Sequence, residues 1–260
     1  AVVSIYLVAR ITKREDWRIE PLLLKETLKD GIKLHIGGIT TFLQSRISLL
    51  LLNYYLVIKD IGLFSVALTI SEILYLIPQA TSTVLFPKAI SVNEEESARL
   101  TALISRHTLF WVIITGLIFA LGAKYLIWLL AGKAFFSAIL PLIILLPGII
   151  FQSLWINISS LALIHRKFLW ITYRSSFLAV INIVALVLLI PQYGLIGAAL
   201  ATLLTQILGV FITIFIFWCP LSKKSPKELF CFTKEDLLLY KNLVARIYEK
   251  IISLKKDKQI

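Results

Sequence analysis

The stretch LFSVALTISEILYLIPQATSTVLF, residues 63–86, is an apolar run in which Glu72 is the single charged residue. A helix that crosses the apolar core of a bilayer needs about 20 such residues, and this stretch exceeds that length. Backbone polar groups in lipid must be satisfied within the segment, so a run of this kind forms a helix. The sequence therefore predicts an all-α fold, a polytopic transmembrane helix bundle. Its six predicted spans are residues 34–57, 63–86, 107–130, 137–164, 169–189 and 194–218.

The composition also indicates a membrane protein. Hydrophobic residues make up 58% of the chain, against about 45–50% in soluble domains. The formal net charge is +12, but most Lys and Arg residues lie between the spans and in the tail, as the positive-inside rule expects. The charge therefore reflects membrane topology, and we expect no nucleic acid partner.

Charge and hydropathy divide the chain into four predicted parts. Residues 1–9 are apolar but too short to span, which indicates the end of a truncated transmembrane helix. Residues 10–33 carry seven Lys/Arg and form a predicted cytoplasmic linker. Residues 34–218 hold the six-helix bundle, and residues 219–260, with ten Lys/Arg, form a predicted cytoplasmic amphipathic tail. The chain contains no methionine, so we expect a fragment of a longer protein.

Helix start signals occur in the predicted cytoplasmic parts. Pro21 suits a first helical position leading into the first span, and Asn93 suits the N-cap of a helix that begins EEESARL. Thr233 and Asp236 resemble a capping box for a helix in the tail. That tail helix is predicted to lie along the membrane surface or to pack under the bundle.

The sequence carries no pattern that indicates catalysis. The links between the spans are short, and no metal-ligand cluster, glycine-rich phosphate loop or nucleophile–base arrangement is present. His35, His107 and His165 lie near span ends and are interpreted as interfacial polar residues. We therefore expect neither an enzyme nor a bound metal or cofactor.

Two arginines lie within predicted spans. Arg46 is midway along the first span, where an arginine costs about 2.5–3.5 kcal/mol on insertion scales. It should face a water-filled cavity, a partner helix or a ligand, so both a role in a substrate pathway and a structural pairing with a carboxylate stay open. Arg174 lies near the start of the fifth span, from which it is predicted to snorkel to the interface.

Glu72 is the only acidic residue inside a predicted span. It can pair with Arg46, carry a proton or a cation, or contact substrate, and Gln79 shares its helical face. Pro78 and Pro147 interrupt their helices and are each predicted to act as a hinge or to form a static kink. The other polar residues within spans are predicted to form interhelical hydrogen bonds. They are Gln152, Asn157, Asn182, Thr205 and Gln206.

Three strings carry a family resemblance. They are FLQSRISLLLLNYYL (residues 42–56), GLFSVALTISEILYLIPQATSTVLFPKAIS (62–91) and LIPQYGLIGAALATLLTQ (189–206). In this order they resemble the patterns "N-x-R-x-D", "G-x-Y/F-S-V-A-x-x-x-x-E" with "P-x-x-x-x-x-x-L-F-P", and "I-P-x-Y-G-x-x-G-A-A-x-A-T" of repeat-unit flippases for O-antigen and other surface polysaccharides. Those flippases belong to the multidrug/oligosaccharidyl-lipid/polysaccharide exporter superfamily. The first pattern is altered here, because Gln44 replaces its asparagine and Ser48 its acid, which favours Glu72 as the partner of Arg46.

The resemblance implies two six-helix bundles around a central cavity, of which this chain is the second, C-terminal one and lacks its N-terminal partner. It implies a bacterial inner-membrane flippase for undecaprenyl-diphosphate-linked oligosaccharide, with polysaccharide polymerase and glycosyltransferases as partners. Arg46 would contact the pyrophosphate or acidic sugars, and Gln44, Asn53, Glu72 and Gln79 would hydrogen-bond the glycan. The lipid tail would stay among the membrane lipids while the bundles rock by alternating access.

Three alternatives remain open. A multidrug exporter of the same superfamily would favour acidic and aromatic groups in its cavity, against which Arg46 argues. A membrane enzyme such as a polysaccharide polymerase or ligase would need larger external loops. A truncated remnant would insert into the membrane without moving any cargo.

Overall fold

The computed structural model describes residues 21–231 and Asp236, and the side chain of Gln44 lies outside the described part. Within this part the chain is helical and forms no β-strand. The helices are α1 (Pro21–Tyr55), α2 (Ile58–Glu72), α3 (Leu76–Ile90), α4 (Glu94–Leu121), α5 (Ala123–Leu130), α6 (Ile139–Ile164), α7 (Phe168–Ile212) and α8 (Cys219–Ser222). Three 3₁₀ turns (Ile73–Tyr75, Lys133–Ala138 and Pro226–Leu229) and a π-helix (Thr213–Trp218) complete them.

Four helical segments of the described chain are long and apolar enough to cross a membrane: Ile58–Ile90, Glu94–Leu121, Lys133–Ile164 and Phe168–Ser222. They confirm the all-α, polytopic class of the fold. α1 is helical from Pro21, the first residue of the described part, and at 35 residues it has the length of a span. The helix start predicted at Pro21 adjoins residues outside the described part and stays a prediction. α1 is not among the four segments, because polar residues such as His35, Arg46 and Asn53 interrupt its apolar character.

The 55-residue segment Phe168–Ser222 is a helical hairpin that contains the fifth and sixth predicted spans. Gly194 breaks α7 with φ 55° and ψ −128°, a conformation that favours glycine. The two arms, residues 168–193 and 195–212, run antiparallel, because Asn182 Nδ2 donates to Thr205 Oγ1 across them at 3.2 Å. They approach so closely that a Cβ on Gly197 would collide with the backbone carbonyl of Leu189.

α6 is the central helix, and it packs against α2, α3, α4 and α7. Its Leu142, Leu145 and Ile149 lie in one apolar cluster, and its Leu154 and Ile158 lie in a second. All five side chains are buried, which explains why this span is apolar on several faces.

A closed ring of hydrogen bonds joins α3, α4 and α6. Asn157 Nδ2 donates to Thr108 Oγ1 at 3.1 Å, Thr108 Oγ1 to Thr81 Oγ1 at 3.0 Å, and Thr81 Oγ1 to Asn157 Oδ1 at 3.3 Å. Asn157 therefore makes the interhelical bonds that its position within a span predicts.

The described part of the tail packs under the bundle. The buried carboxylate of Asp236 lies 2.9 Å from Arg106 Nη2, while Arg106 Nη1 donates to the carbonyl of Glu228 at 2.6 Å. Thr233 and most of the predicted tail helix lie outside the described residues. At the other predicted cap, Asn93 Oδ1 accepts a bond from the backbone N–H of Glu96 at 2.9 Å, so this prediction is confirmed.

Candidate substrate cavity

A cavity of about 270 Å³ lies between α1, α2, α3, α6 and α7. Its wall combines hydrogen-bonding side chains with apolar ones, and apolar atoms form most of the accessible wall surface. Glu72 is the single charged residue in that wall. The polar lining residues are Thr41, Ser48, Glu72, Tyr75, Gln79, Gln152, Asn182, Thr202, Thr205 and Gln206.

Glu72 ends α2, directly before the 3₁₀ turn, and its carboxylate is paired with Arg46. Arg46 Nη2 lies 3.9 Å from Glu72 Oε2, and the two side chains are 44% and 27% exposed. Pairing with Arg46 is one of the three roles that the sequence leaves open for Glu72. It was favoured because Ser48 stands where the family pattern has an acid two residues after the arginine. Ser48 lines the cavity, and its Oγ lies 3.4 Å from Thr202 Oγ1 on α7. It therefore forms a neutral contact between helices at a position where an acid would introduce a negative charge.

The remaining predicted pathway residues have different positions. Gln79 lines the cavity seven residues, or about two helical turns, after Glu72. Asn53 is exposed near the end of α1 and does not belong to the wall of this cavity. The backbone of Gln44 is helical, and its side chain is outside the described part. The pathway roles of Arg46, Glu72 and these residues stay predictions.

Two amide side chains of the wall form hydrogen bonds between helical segments. Gln206 Nε2 donates to Tyr75 Oη at 3.5 Å, and Asn182 Nδ2 donates to Thr205. The amide oxygens of Asn182 and Gln206 are buried and have no hydrogen-bond partner within the described chain. These two oxygens are enclosed by the packed helices, and Gln206 Oε1 lies against the backbone of Gly148 on α6.

The sequence missed several cavity residues. It assigned Asn182, Thr205 and Gln206 to interhelical bonding, which the structure confirms, but not to the cavity wall. It did not single out Thr41 or Tyr75 at all. Tyr75 follows Glu72 by three residues, and that helical spacing would have placed it on the same face.

The two predicted hinges differ. The helix tightens into the 3₁₀ turn Ile73–Tyr75 before Pro78, because proline lacks the N–H that would bond the carbonyl four residues earlier. α6 instead continues through Pro147. Both hinge roles stay predictions, although a 3₁₀ stretch within a helix often marks a hinge.

Arg174 corrects a prediction. Its side chain does not snorkel but is buried at 4% exposure. Its Nε donates to Thr213 Oγ1 and its Nη2 to the carbonyl of Gly209, both at 3.2 Å. The guanidinium also stacks on Trp155, 3.9 Å from the ring centroid. The second arm of α7 supplies polar partners at this depth, so the side chain has no need to reach the interface.

No group of three or more potential metal-ligating side chains occurs in the described part of the chain. The cavity chemistry is hydrogen bonding by hydroxyl and amide groups around one neutralised carboxylate.

No protein-family model and no curated protein matches the sequence. Among solved structures, an outward-facing multidrug resistance MATE family transporter of the MOP superfamily matches with a TM-score of 0.56 and 15% identity. A MOP superfamily transporter from Pyrococcus furiosus, described by a reversed polarity of its binding pocket that suggests a different function, matches with a TM-score of 0.57 and 18% identity. Each match covers 79% of this chain and 48% of the solved chain. The chain thus spans about half the length of these structures, and it has the fold of a MOP-superfamily transporter over that half.

Proposed function

We propose that this chain is part of a flippase that moves an undecaprenyl-diphosphate-linked oligosaccharide across the bacterial inner membrane by alternating access. The fold shared with MOP-superfamily transporters supports transport as the class of activity. The observation that carries the cargo assignment is the cavity wall, where hydroxyl and amide groups surround a single carboxylate that Arg46 neutralises. Such a wall offers hydrogen bonds to a glycan and little attraction to an organic cation.

The head group of this cargo has many hydroxyls and an anionic pyrophosphate, which cannot enter hydrocarbon without compensation. The hydroxyls of Ser48 and Thr202 and the amide of Gln79 line the cavity and would exchange hydrogen bonds with sugar hydroxyls. Arg46 is 44% exposed and uses one guanidinium nitrogen toward Glu72. Its other N–H donors would bind the pyrophosphate or an acidic sugar, for which the planar guanidinium is well suited.

Multidrug export is the second candidate function. Glu72, Tyr75 and Trp155 lie together in the cavity wall, and a carboxylate beside aromatic rings attracts organic cations. One solved structure with this fold is described as a multidrug resistance transporter. Release of Glu72 from Arg46 would be required before the carboxylate could serve a cation.

A two-cargo transport assay on the complete protein in liposomes tests the proposal. A fluorescent undecaprenyl-diphosphate oligosaccharide is placed in one leaflet, and its appearance in the other is read with an impermeant glycosidase. Ethidium is the second cargo. We expect movement of the glycolipid, no ethidium transport, and no competition between the two. Ethidium transport that Glu72→Gln abolishes, with Glu95→Gln as the exposed control, would instead establish the drug exporter.

A further inference from the structure

A second cavity lies on the outer surface of the bundle, between the two arms of α7 and the π-helix. This groove has a volume of about 580 Å³, within the range of about 300–1,000 Å³ typical of ligand sites. Arg174 is the only charged residue in its wall. The other lining residues are aromatic or aliphatic: Trp170, Tyr173, Phe177, Leu208, Ile212, Ile216 and Phe217.

Arg174 brings a buried positive charge to the floor of this apolar groove. A guanidinium has five N–H donors, and the two hydrogen bonds to Thr213 and Gly209 use only part of them. Within the described chain no carboxylate forms an ion pair with Arg174. A buried charge without a counter-ion is costly, so an anionic group from outside the chain would stabilise it.

The position of the groove indicates which anion can reach it. Arg174 lies six residues after Phe168, which is about 9 Å along the helix, and its side chain leans toward that helix start. Lys167 lies just above, with Nζ 5.1 Å from the ring centroid of Trp170. Lys223 follows α8, and the hairpin returns to the same side, since the rings of Phe217 and Trp170 have centroids 6.1 Å apart. The groove therefore opens beside a basic membrane edge.

We propose that this groove binds one anionic glycerophospholipid of the leaflet at that edge, with the lipid phosphate on Arg174 and an acyl chain between the arms of α7. Anionic lipids are concentrated in the cytoplasmic leaflet, and basic pockets between transmembrane helices bind their head groups. The aromatic wall supplies the apolar surface along which an acyl chain packs. This site is separate from the cavity around Glu72 and does not depend on the nature of the cargo.

A local distortion independently supports a ligand site. Thr213 accepts the bond from Arg174 and donates to the carbonyl of Gly209 at 2.7 Å, and the π-helix Thr213–Trp218 begins at this residue. π-helical turns are rare and occur frequently at functional sites. The widened turn contributes Ile216 and Phe217 to the groove wall.

Native mass spectrometry of the purified protein tests this site, with phosphatidylglycerol and phosphatidylcholine of identical acyl chains as the probes. We expect phosphatidylglycerol to be retained about fivefold more strongly, the effect of one basic side chain near an anionic lipid. Arg174→Gln should remove the preference, and Arg174→Lys should keep part of it. Ile216→Trp should lower retention of both lipids, because Ile216 is half-exposed and a larger ring fills the groove from outside.

Two matched controls separate the groove from general surface effects. Arg99→Gln removes an exposed arginine elsewhere, and Phe211→Trp enlarges an exposed side chain on the same arm that lies outside the groove wall. Both should bind lipid as the unmodified protein does. A phosphatidylglycerol preference that survives in a folded Arg174→Gln protein overturns the proposal, as does an equal loss in Arg99→Gln.

The remaining outcomes are also decisive. If Arg174→Gln fails to fold, the Ile216→Trp variant tests the proposal in its place. Unchanged retention of phosphatidylglycerol by Ile216→Trp would then overturn the proposed lipid site. Undecaprenyl phosphate added as a competitor distinguishes the source of the phosphate. We expect phosphatidylglycerol to remain bound; displacement by equimolar undecaprenyl phosphate would assign the groove to the cargo lipid and contradict our proposal.

Discussion

Arg46 and Glu72 form a partly exposed ion pair beside the cavity, so their contribution to stability is small. Exposed pairs contribute about 0–1 kcal/mol. We therefore predict that Arg46→Ala abolishes glycolipid translocation while membrane abundance stays normal, and that Arg46→Lys retains part of the activity. The assay is translocation in liposomes, with protein quantified in the membrane fraction.

The matched control for this prediction is Arg99→Ala. Arg99 Nη1 lies 3.8 Å from Glu96 Oε2, and its side chain is 54% exposed, so the change removes a similar pair away from the cavity. Transport by Arg46→Ala at the normal rate would exclude a pathway role. Loss of the Arg46→Ala protein from the membrane would instead identify Arg46 as a structural anchor.

Asn157 has the opposite character, since it is buried and holds three helices together. Asn157→Ala removes its two side-chain hydrogen bonds, to Thr81 and Thr108, and a lost buried hydrogen bond costs about 1–3 kcal/mol. We predict a lower midpoint of thermal unfolding in detergent. Thr83→Ala is the control, because that exposed hydroxyl bonds only the carbonyl of Gln79 in its own helix. Equal midpoints for the two variants would show that the ring of hydrogen bonds adds no stability.

For single residues, the sequence predicted that charged side chains within spans need a partner or a polar environment. It did not predict which neighbours each side chain contacts. The absence of an acid at Ser48 correctly favoured Glu72 as the partner of Arg46. The prediction for Arg174 was wrong, because depth along a helix does not reveal what faces the side chain. Thr213 and Gly209 become its partners only once the hairpin has formed.

The hairpin of α7 depends on two glycines with different tasks. Gly194 provides the positive φ of the turn, and Gly197 allows the second arm to pass the carbonyl of Leu189. We predict that Gly197→Ala destabilises the protein by about 1–3 kcal/mol through overpacking. A proteolysis or thermal unfolding series in detergent measures the effect.

Gly38→Ala is the control for the hairpin. A Cβ on Gly38 meets nothing within 4 Å, and alanine is favoured over glycine inside a helix by about 0.5–1 kcal/mol. Gly38→Ala should therefore be neutral or stabilising. A Gly197→Ala protein as stable as Gly38→Ala would contradict the close approach of the two arms.

Pro78 and the 3₁₀ turn before it lie next to Glu72, where a bend would reshape the cavity. We predict that Pro78→Ala slows translocation without loss of stability, because alanine restores a backbone N–H and lets the helix become regular. Pro87→Ala, at an exposed proline in the same helix, should leave the rate unchanged. Equal translocation rates for the two variants would show that the kink at Pro78 does not act as a hinge.

The elements themselves were largely predictable, because length and apolar character define spans without any knowledge of packing. The break between the fifth and sixth spans was predicted at residues 190–193, and the structure places it at Gly194, the first residue of the predicted sixth span. The 3₁₀ turn at Ile73–Tyr75 and the π-helix were not predicted, since both depend on how one helix meets its neighbours. α1 was predicted as a span, yet its polar residues leave it less apolar than the four segments that qualify.

For the whole molecule, the buried pair of Arg106 and Asp236 ties the described end of the tail to the bundle, and the α7 hairpin closes one side of the cavity. The chain spans about half the length of the solved transporters with this fold. Under the proposed function, cargo movement belongs to the complete protein, in which both halves rock around a shared cavity. The cargo was inferred from a family resemblance, and the cavity wall supports it through its hydroxyl and amide groups.

Expression of the complete protein in bacteria that lack their own repeat-unit flippase measures the central claim most directly. The readout is surface polysaccharide, together with the amount of lipid-linked oligosaccharide left in the inner leaflet. We predict that the protein restores the polysaccharide and clears the accumulated intermediate, and that Arg46→Ala does neither while Arg99→Ala does both. Unchanged accumulation, in cells where the protein is correctly inserted and matched to the glycan, would contradict the account.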